Sequence, residues 1–392
     1  MVVSARVAAE TPPPLSIHEE LRKLAALKAN LPIVSLYLNA RGRDQHEREA
    51  ARTFVRQAFA GAARSWRGIA GAESLEADLA ALKRLVSDLF APRSGRAPGL
   101  AVFACSAARL LVVLPAPVPF RNQFGVGRIP LLAQLSMLAD EYEPALVALV
   151  DAASARFFTS TLGGLLSELQ LFSNVPGWHK QGGWSQARYQ RHILTRRDEH
   201  HQAVAGLLEA ETSERAIPHI VLGGMRLARA NVRRLLSAPA AERIVGEFDL
   251  PVRAGLSRVE EAVRSALQAW ERRCEAAALA ALSDRAGDPA LAGLGLDNTL
   301  AAANRRAVHL LVVSEQFVAD GWACEECGGL QAVTTLGCER CGGKLGTADL
   351  REALVAAVLR AGGQVEWVAG SPPVLQQIGG VGALLHTPHE SH

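Results

Sequence analysis

Four cysteines late in the chain have the spacing that does metal chemistry. Cys324, Cys327, Cys338 and Cys341 form two C-x2-C pairs with ten residues between them, and each pair runs into two glycines, CEECGG and CERCGG. A C-x2-C pair lets two thiolates reach one tetrahedral ion, and the glycines after it permit the turned backbone of a knuckle. Four thiolates fill the coordination sphere of Zn2+, so the expected ion is structural, with no open position for water or substrate. Two reduced, metal-free pairs or a redox switch are the alternatives. Glu325, Glu326 and Glu339 make this knuckle a poor phosphate-binding surface. Cys105 and Cys274 stand alone with no neighbouring base, and are expected to be core or helix-surface thiols.

A second constellation runs from Gly177 to Arg197, GWHKQGGWSQARYQRHILTRR. Gly182 and Gly183 let the backbone turn sharply and approach a partner closely, and Ser185 is placed to cap a following helix. On that helix Arg188, Arg191, His192 and Thr195 recur at spacings of three and four, a basic stripe extended by Arg196 and Arg197. Trp178 and Trp184 beside these arginines suit stacking on bases or ribose, whereas an ordinary solvated surface helix is the plain alternative. His200 and His201, in DEHHQ, are adjacent and lack a His-x3-His spacing, so a solvated helix face is expected there. Arg41 and Arg43 in NARGRDQ fit an RNA contact or a surface loop equally.

The elements that must position these residues read as α/β. Leu31 to Asn39, Leu100 to Cys105 and Leu110 to Leu114 are strand-like, with helices at Ser16 to Ala29 and Pro130 to Glu141 and a long helical region between. Ala145 to Asp151 and Ala155 to Leu162 read as a hairpin. After it come a helix from Ser185 to about Glu211, a strand Ile217 to Gly223, a helix Met225 to Ser237 and a helix Ser257 to Leu282. The last segment reads as a helix Leu296 to Asn304, a strand Val308 to Ser314, the cysteine insertion, a helix Thr347 to Ala361, a strand Gln364 to Val368 and a glycine turn Ile378 to Leu385. The first dozen residues are expected to lack structure. At 392 residues, three domains are expected: 1–140, 141–285 and 286–392. A net charge of +3 makes any attraction to nucleic acid a matter of where the charges sit. Without a signal-peptide pattern or a bilayer-length apolar run, a cytoplasmic protein with no membrane partner is expected.

The run GGWSQARYQR resembles the middle-domain signature of the archaeal and eukaryotic class-1 peptide-chain release factors, a Gly-Gly-Gln loop followed by a Ser and an arginine-bearing helix. SLYLN (Ser35 to Asn39), ALVALVDAASARFF (Ala145 to Phe158), and GLDNTLAAANRRAVHLLVV (Gly295 to Val313) with IGGVGALL resemble the first, middle and third domains of that superfamily in the same order. The inserted cysteine pairs are similar to those of archaeal members. The resemblance implies a three-domain factor whose first domain meets the decoding centre and whose middle loop reaches the peptidyl-transferase centre. It implies rRNA or tRNA contacts by Gly182, Gly183, Trp184, Ser185, Arg188 and Arg191, and a translational GTPase as partner.

The departures from the family pattern shape the expected activity. The family's water-placing glutamine is replaced by Trp184, whose indole offers one donor and no acceptor. No Asn-Ile-Lys-Ser segment and no Tyr-Cys pattern for reading stop codons is present. A non-catalytic occupant of the ribosomal A site, similar to the Balon-like hibernation relatives, is one expectation. The other follows from Gly183-Trp184-Ser185-Gln186, which resembles the G-x-x-Q loop of the Vms1-like branch and implies hydrolysis of peptidyl-tRNA on stalled ribosomes through Gln186.

Overall fold

The computed structural model describes residues 2–6, 17–27, 32–41, 45–89, 97–116, 118–161, 164–172, 186–370 and 372–386. In chain order, the elements up to the middle of the chain are β1 (Val2–Arg6), α1 (Ile17–Ala26), β2 (Ile33–Asn39), α2 (Gln45–Ser65), α3 (Ala72–Leu89), β3 (Gly99–Cys105), β4 (Leu110–Ala116), β5 (Gln123–Gly127), α4 (Ala133–Glu141), β6 (Ala145–Val150), β7 (Ser154–Thr161) and β8 (Gly164–Phe172). Then follow α5 (Gln186–Glu214), β9 (His219–Gly224), α6 (Arg226–Leu235), α7 (Ala238–Glu242), β10 (Ile244–Phe248) and α8 (Leu256–Asp284). The last part holds β11 (Ala292–Leu294), α9 (Gly295–Asn304), β12 (Val308–Ser314), β13 (Asp320–Cys324), β14 (Leu330–Gln331), β15 (Leu345–Asp349), α10 (Leu350–Arg360), β16 (Gln364–Val368), α11 (Pro373–Gln377) and β17 (Val381–Leu385). Two compact units result, one of Met1–Leu15 with Glu141–Cys274 and one of Ser16–Asp140 with Glu275–His392.

The first unit is a six-stranded sheet in the order β1-β8-β7-β6-β9-β10, with β6, β9 and β10 parallel and the rest antiparallel. Its central strand β6 is buried along its whole length, which is why ALVALV is an unbroken apolar run. Alternation divides that run between two cores. Leu146, Ala148 and Val150 pack with Val204 and Leu208 of α5 and Val232 of α6, while Ala145, Val147 and Leu149 pack with Val259 and Val263 of α8. Helices on both faces of a sheet make a three-layer α/β/α arrangement. Gly224, at the end of β9, has φ +114, and a Cβ there would meet the Val150 carbonyl oxygen at 1.9 Å, so only glycine fits this exit.

Four elements of this unit lie outside the sequence reading: β1, β8, α7 and β10. β8 pairs with β7, and β1, in the stretch expected to lack structure, pairs with β8 from Val2 opposite Phe172 to Arg6 opposite Glu168. The open edge of β8 supplies backbone partners that no local pattern in residues 2–6 announces.

In the second unit the antiparallel sheet β4-β3-β2-β5 is covered by α2 and α3, with Val34, Leu36, Leu38 and Val102 packed on Val55, Leu75 and Leu82. A second sheet, β11-β17-β12-β16, packs with the end of α8 through Leu282 and with Leu375 of α11. A small third sheet, β14-β13-β15, carries the cysteines. The helix expected to start at Thr347 begins at Leu350, because Thr347, Ala348 and Asp349 pair with Trp322, Gly321 and Asp320. Asp349 then caps α10 by accepting the backbone N–H groups of Arg351 and Glu352.

The buried carboxylate of Glu352 ties the two parts of this unit together. It accepts the backbone N–H groups of Leu132 at 2.7 Å and Ala133 at 2.8 Å and the Gln123 amide at 3.1 Å, and so caps the start of α4 from a distant part of the chain. Burial pushes its pKa up, and the Ala133 N–H is foremost among the hydrogen bonds that oppose this.

Candidate functional site

Helix α5 is built to bury its later turns. Ile193, His200, His201, Val204, Ala205, Leu208 and Thr212 are buried, at offsets of 0, 7, 8, 11, 12, 15 and 19 from the first, which is one helical face. At 29 residues the helix is roughly 43 Å long. Before His200, Ile193 is the buried residue among those whose side chains are described, while Arg191, Leu194, Thr195 and Arg196 are exposed. The anchored half therefore carries the half that precedes it.

The sequence-predicted residues fall as follows. Gly182, Gly183, Trp184 and Ser185 lie outside the described residues, as do the side chains of Gln186, Arg188 and His192. Gln186 is the first residue of α5. Arg191 is exposed. Thr195 is exposed, and its hydroxyl donates to the Arg191 carbonyl oxygen at 3.0 Å. Arg196 is paired with Glu199 at 3.2 Å, which offsets part of the basic stripe. Arg41 is exposed, and Arg43 lies outside the described residues.

His200 and His201 correct the reading of a solvated face. They are 1% and 3% exposed, because positions seven and eight residues beyond Ile193 sit on either side of the middle of the buried stripe. The ring of His201 reaches the backbone oxygen of Asp151 through Nε2 at 3.3 Å. Asp151 in turn closes the β6–β7 turn, its Oδ1 accepting the N–H groups of Ala153 at 2.8 Å and Ser154 at 2.7 Å and the Ser154 hydroxyl at 3.0 Å. Burial lowers the pKa of both histidines, which keeps the imidazoles neutral at pH 7. This lock is a positioning device that the sequence reading missed. The signal for it was the apolar stripe Ile193, Val204 and Leu208, on which both histidines fall.

The four cysteines come together as their spacing requires. One ligand atom from each of Cys324, Cys327, Cys338 and Cys341 lies within 4.8 Å of the others. Cys324 and Cys341 have their sulfurs 3.5 Å apart, and Cys327 and Cys338 theirs 3.6 Å apart. A tetrahedron of thiolates at the usual zinc–sulfur distance has edges of about 3.8 Å, so the residues fit such an ion. Each knuckle turns a backbone N–H toward its first sulfur, Cys327 N to Cys324 Sγ at 3.5 Å and Arg340 N to Cys338 Sγ at 3.4 Å. The Cys327 N–H is the main cause that lowers Cys324 to about 7. Cys341 is pushed up to about 12 even though the Gly343 N–H lowers it, because the sulfurs of Cys327 and Cys324 crowd it. Cys324 and Cys338 are buried and Cys327 and Cys341 exposed, which places the cluster at the surface of its unit. Cys105 is a buried core thiol and Cys274 is half-buried, as expected.

Residues 130–271 match the model of bacterial archaeo-eukaryotic release factor family 10. The likeness to that family is a likeness of this segment. The matched segment contains the whole β6-to-β10 sheet core, the glycine loop and α5, so the family likeness and the candidate site coincide. Among solved structures, the chain is similar to the archaeal translation termination factor aRF1 at 18% identity, covering 94% of this chain and 96% of that one with a TM-score of 0.25. It is also similar to Dom34 of S. cerevisiae at 10% identity, over 78% of this chain and 83% of that one, with a TM-score of 0.41. A ribosome-bound archaeal Pelota is similar at 14% identity over 99% of both chains, with a TM-score of 0.38. No curated protein matches the chain. Among the described residues, no helix is long and apolar enough to cross a membrane.

Proposed function

We propose that the protein is a ribosome-associated factor that enters the A site of idle or stalled ribosomes and does not terminate at stop codons. The family match over residues 130–271, which encloses the Gly182–Gly183 loop and α5, is the observation that carries this reading. Trp184 at the position of the water-placing amide favours occupation over hydrolysis, since an indole cannot accept a hydrogen bond from water. Gly182, Gly183, Trp184, Ser185, Arg188 and Arg191 are the proposed contacts to rRNA and tRNA. Residues 1–140, 141–285 and 286–392 are the proposed functional domains, and a translational GTPase is the proposed delivery partner. Zn2+ is the proposed ion of the four cysteines. Its role there is structural, because four thiolates leave it no open position.

Hydrolysis of peptidyl-tRNA is the second reading, and Gln186 favours it. As the first residue of α5 it belongs to the helix N-terminus, where orphan backbone N–H groups and an amide together can hold a water. The test is peptide release from purified ribosomes stalled with peptidyl-tRNA, with the intact protein and Gln186→Ala compared, and sedimentation run beside it. Binding without release supports the A-site occupant. Release that the variant loses while still binding supports the hydrolase, and the absence of both overturns the ribosomal reading.

A further inference from the structure

The sheet β14-β13-β15 has an outward face of its own. Gly321 is buried, and a Cβ there would meet the Leu350 side chain at 2.5 Å, so Asp320 and Trp322 lie on the opposite face of the pleat. In register beside them stand Thr347, opposite Trp322, and Asp349, opposite Asp320. Together with Ala332 these residues line an open groove of about 470 Å³.

Two features of that groove call for a cationic occupant. Asp320 and Asp349 are directly opposed across the strands and both exposed, and like charges so placed repel. Asp349 cannot swing aside without uncapping α10. Of the cations around it, Lys344 pairs with Glu325 at 3.3 Å, and Arg351, whose charge acts on Asp349, lies over the Trp367 ring at 4.8 Å. The half-buried indole of Trp322 stands on the same face two residues along β13 from Asp320, beside the carboxylate pair, and an indole face is the best aromatic partner for a guanidinium or ammonium. Apolar side chains stand in water on the neighbouring loops, Val318 at 75%, Val333 at 67% and Leu336 fully exposed. Glu325, Glu326 and Glu339 add negative charge to the same insertion, and a phosphate backbone would be repelled.

We propose that this face docks a basic segment of a protein partner, one that alternates arginine or lysine with apolar residues. A cationic side chain lies against Trp322 beside the opposed carboxylates of Asp320 and Asp349, and apolar neighbours cover Val333 and Leu336. The surface belongs to the metal-bearing insertion and is independent of the glycine loop and α5.

The experiment is fluorescence anisotropy of a fluorescein-labelled heptapeptide alternating arginine with leucine and valine, titrated with the full-length protein. Asp320→Asn, Trp322→Ala and Asp349→Asn each weaken binding about three- to ten-fold, and Glu261→Gln on α8 leaves it unchanged. Asparagine at 349 keeps the helix cap, and Asp320→Asn touches no buried group, so a loss in these two variants is not unfolding. Unchanged affinity in Asp320→Asn and Trp322→Ala overturns the proposal, as does a single-stranded RNA oligonucleotide that binds more tightly than the peptide and depends on the same residues. The assay contains no ribosome, so its failure and a failure of the A-site reading are separate results.

Discussion

His201 Nε2 lies 3.3 Å from the backbone oxygen of Asp151, so the ring donates from Nε2 and a residue of α5 holds the turn between β6 and β7. Among the described residues, His201 Nδ1 is buried with no hydrogen-bond partner, which leaves this one contact to fix the ring. His201→Ala removes both the contact and the packing of the ring, and is expected to cost about 1–3 kcal/mol. Urea denaturation followed by far-ultraviolet circular dichroism measures it. If the lock positions the forward half of α5, the same variant also weakens ribosome sedimentation while leaving metal content at the wild-type level.

The pH dependence of the first unit has a defined sign. His200 and His201 have folded-state pKa values below the ordinary 6.5, from burial first, with the Ser154 and Asp151 backbone contacts, the Asp151 and Asp198 carboxylates and the Arg197 guanidinium around them. Below 6.5 the unfolded chain takes up protons that the folded chain refuses, so the stability from these neutral rings is complete above 6.5 and declines as pH falls toward the depressed values. The urea midpoint is expected to drop between pH 7.5 and 5.5. His200→Gln with His201→Gln flattens that slope, and an unflattened slope would show that other groups carry it.

Removing one cysteine should remove the metal. Cys324→Ser and Cys341→Ser are each expected to reduce zinc from about one ion per chain to near none, because three thiolates bind it far more weakly than four. Cys274→Ser, distant from the cluster in sequence and outside its ligand set, should leave the content unchanged. Atomic absorption after dialysis decides this, and equal metal in all the proteins would contradict the site.

The cap that Glu352 provides is expected to be costly to lose. Glu352→Ala leaves the buried N–H groups of Leu132 and Ala133 without their acceptor and opens a hole where the side chain lay, at a cost of roughly 2–4 kcal/mol. Thermal denaturation reads the loss. Hydrogen exchange at Leu132 and Ala133 tests the cause, and protection retained there would mean another group accepts these bonds.

What the chain's own letters determined was whatever depends on neighbours a few residues apart. The spacing of Cys324, Cys327, Cys338 and Cys341 determined a four-sulfur cluster, since a C-x2-C knuckle is closed by its own backbone. The apolar runs of β6, β9 and β12 announced buried strands, and the long pattern after Ser185 announced α5. Tertiary structure alone decided what depends on partners far along the chain. β1 is a strand because β8 offers it an open edge, and Thr347 to Asp349 are strand rather than helix because β13 lies beside them. Glu352 caps a helix that starts 219 residues earlier, and His200 and His201 are buried because a sheet covers their face of α5. Local spacing cannot encode these outcomes, because backbone pairing and burial are satisfied by whichever segment arrives, and that is settled only when the whole chain packs.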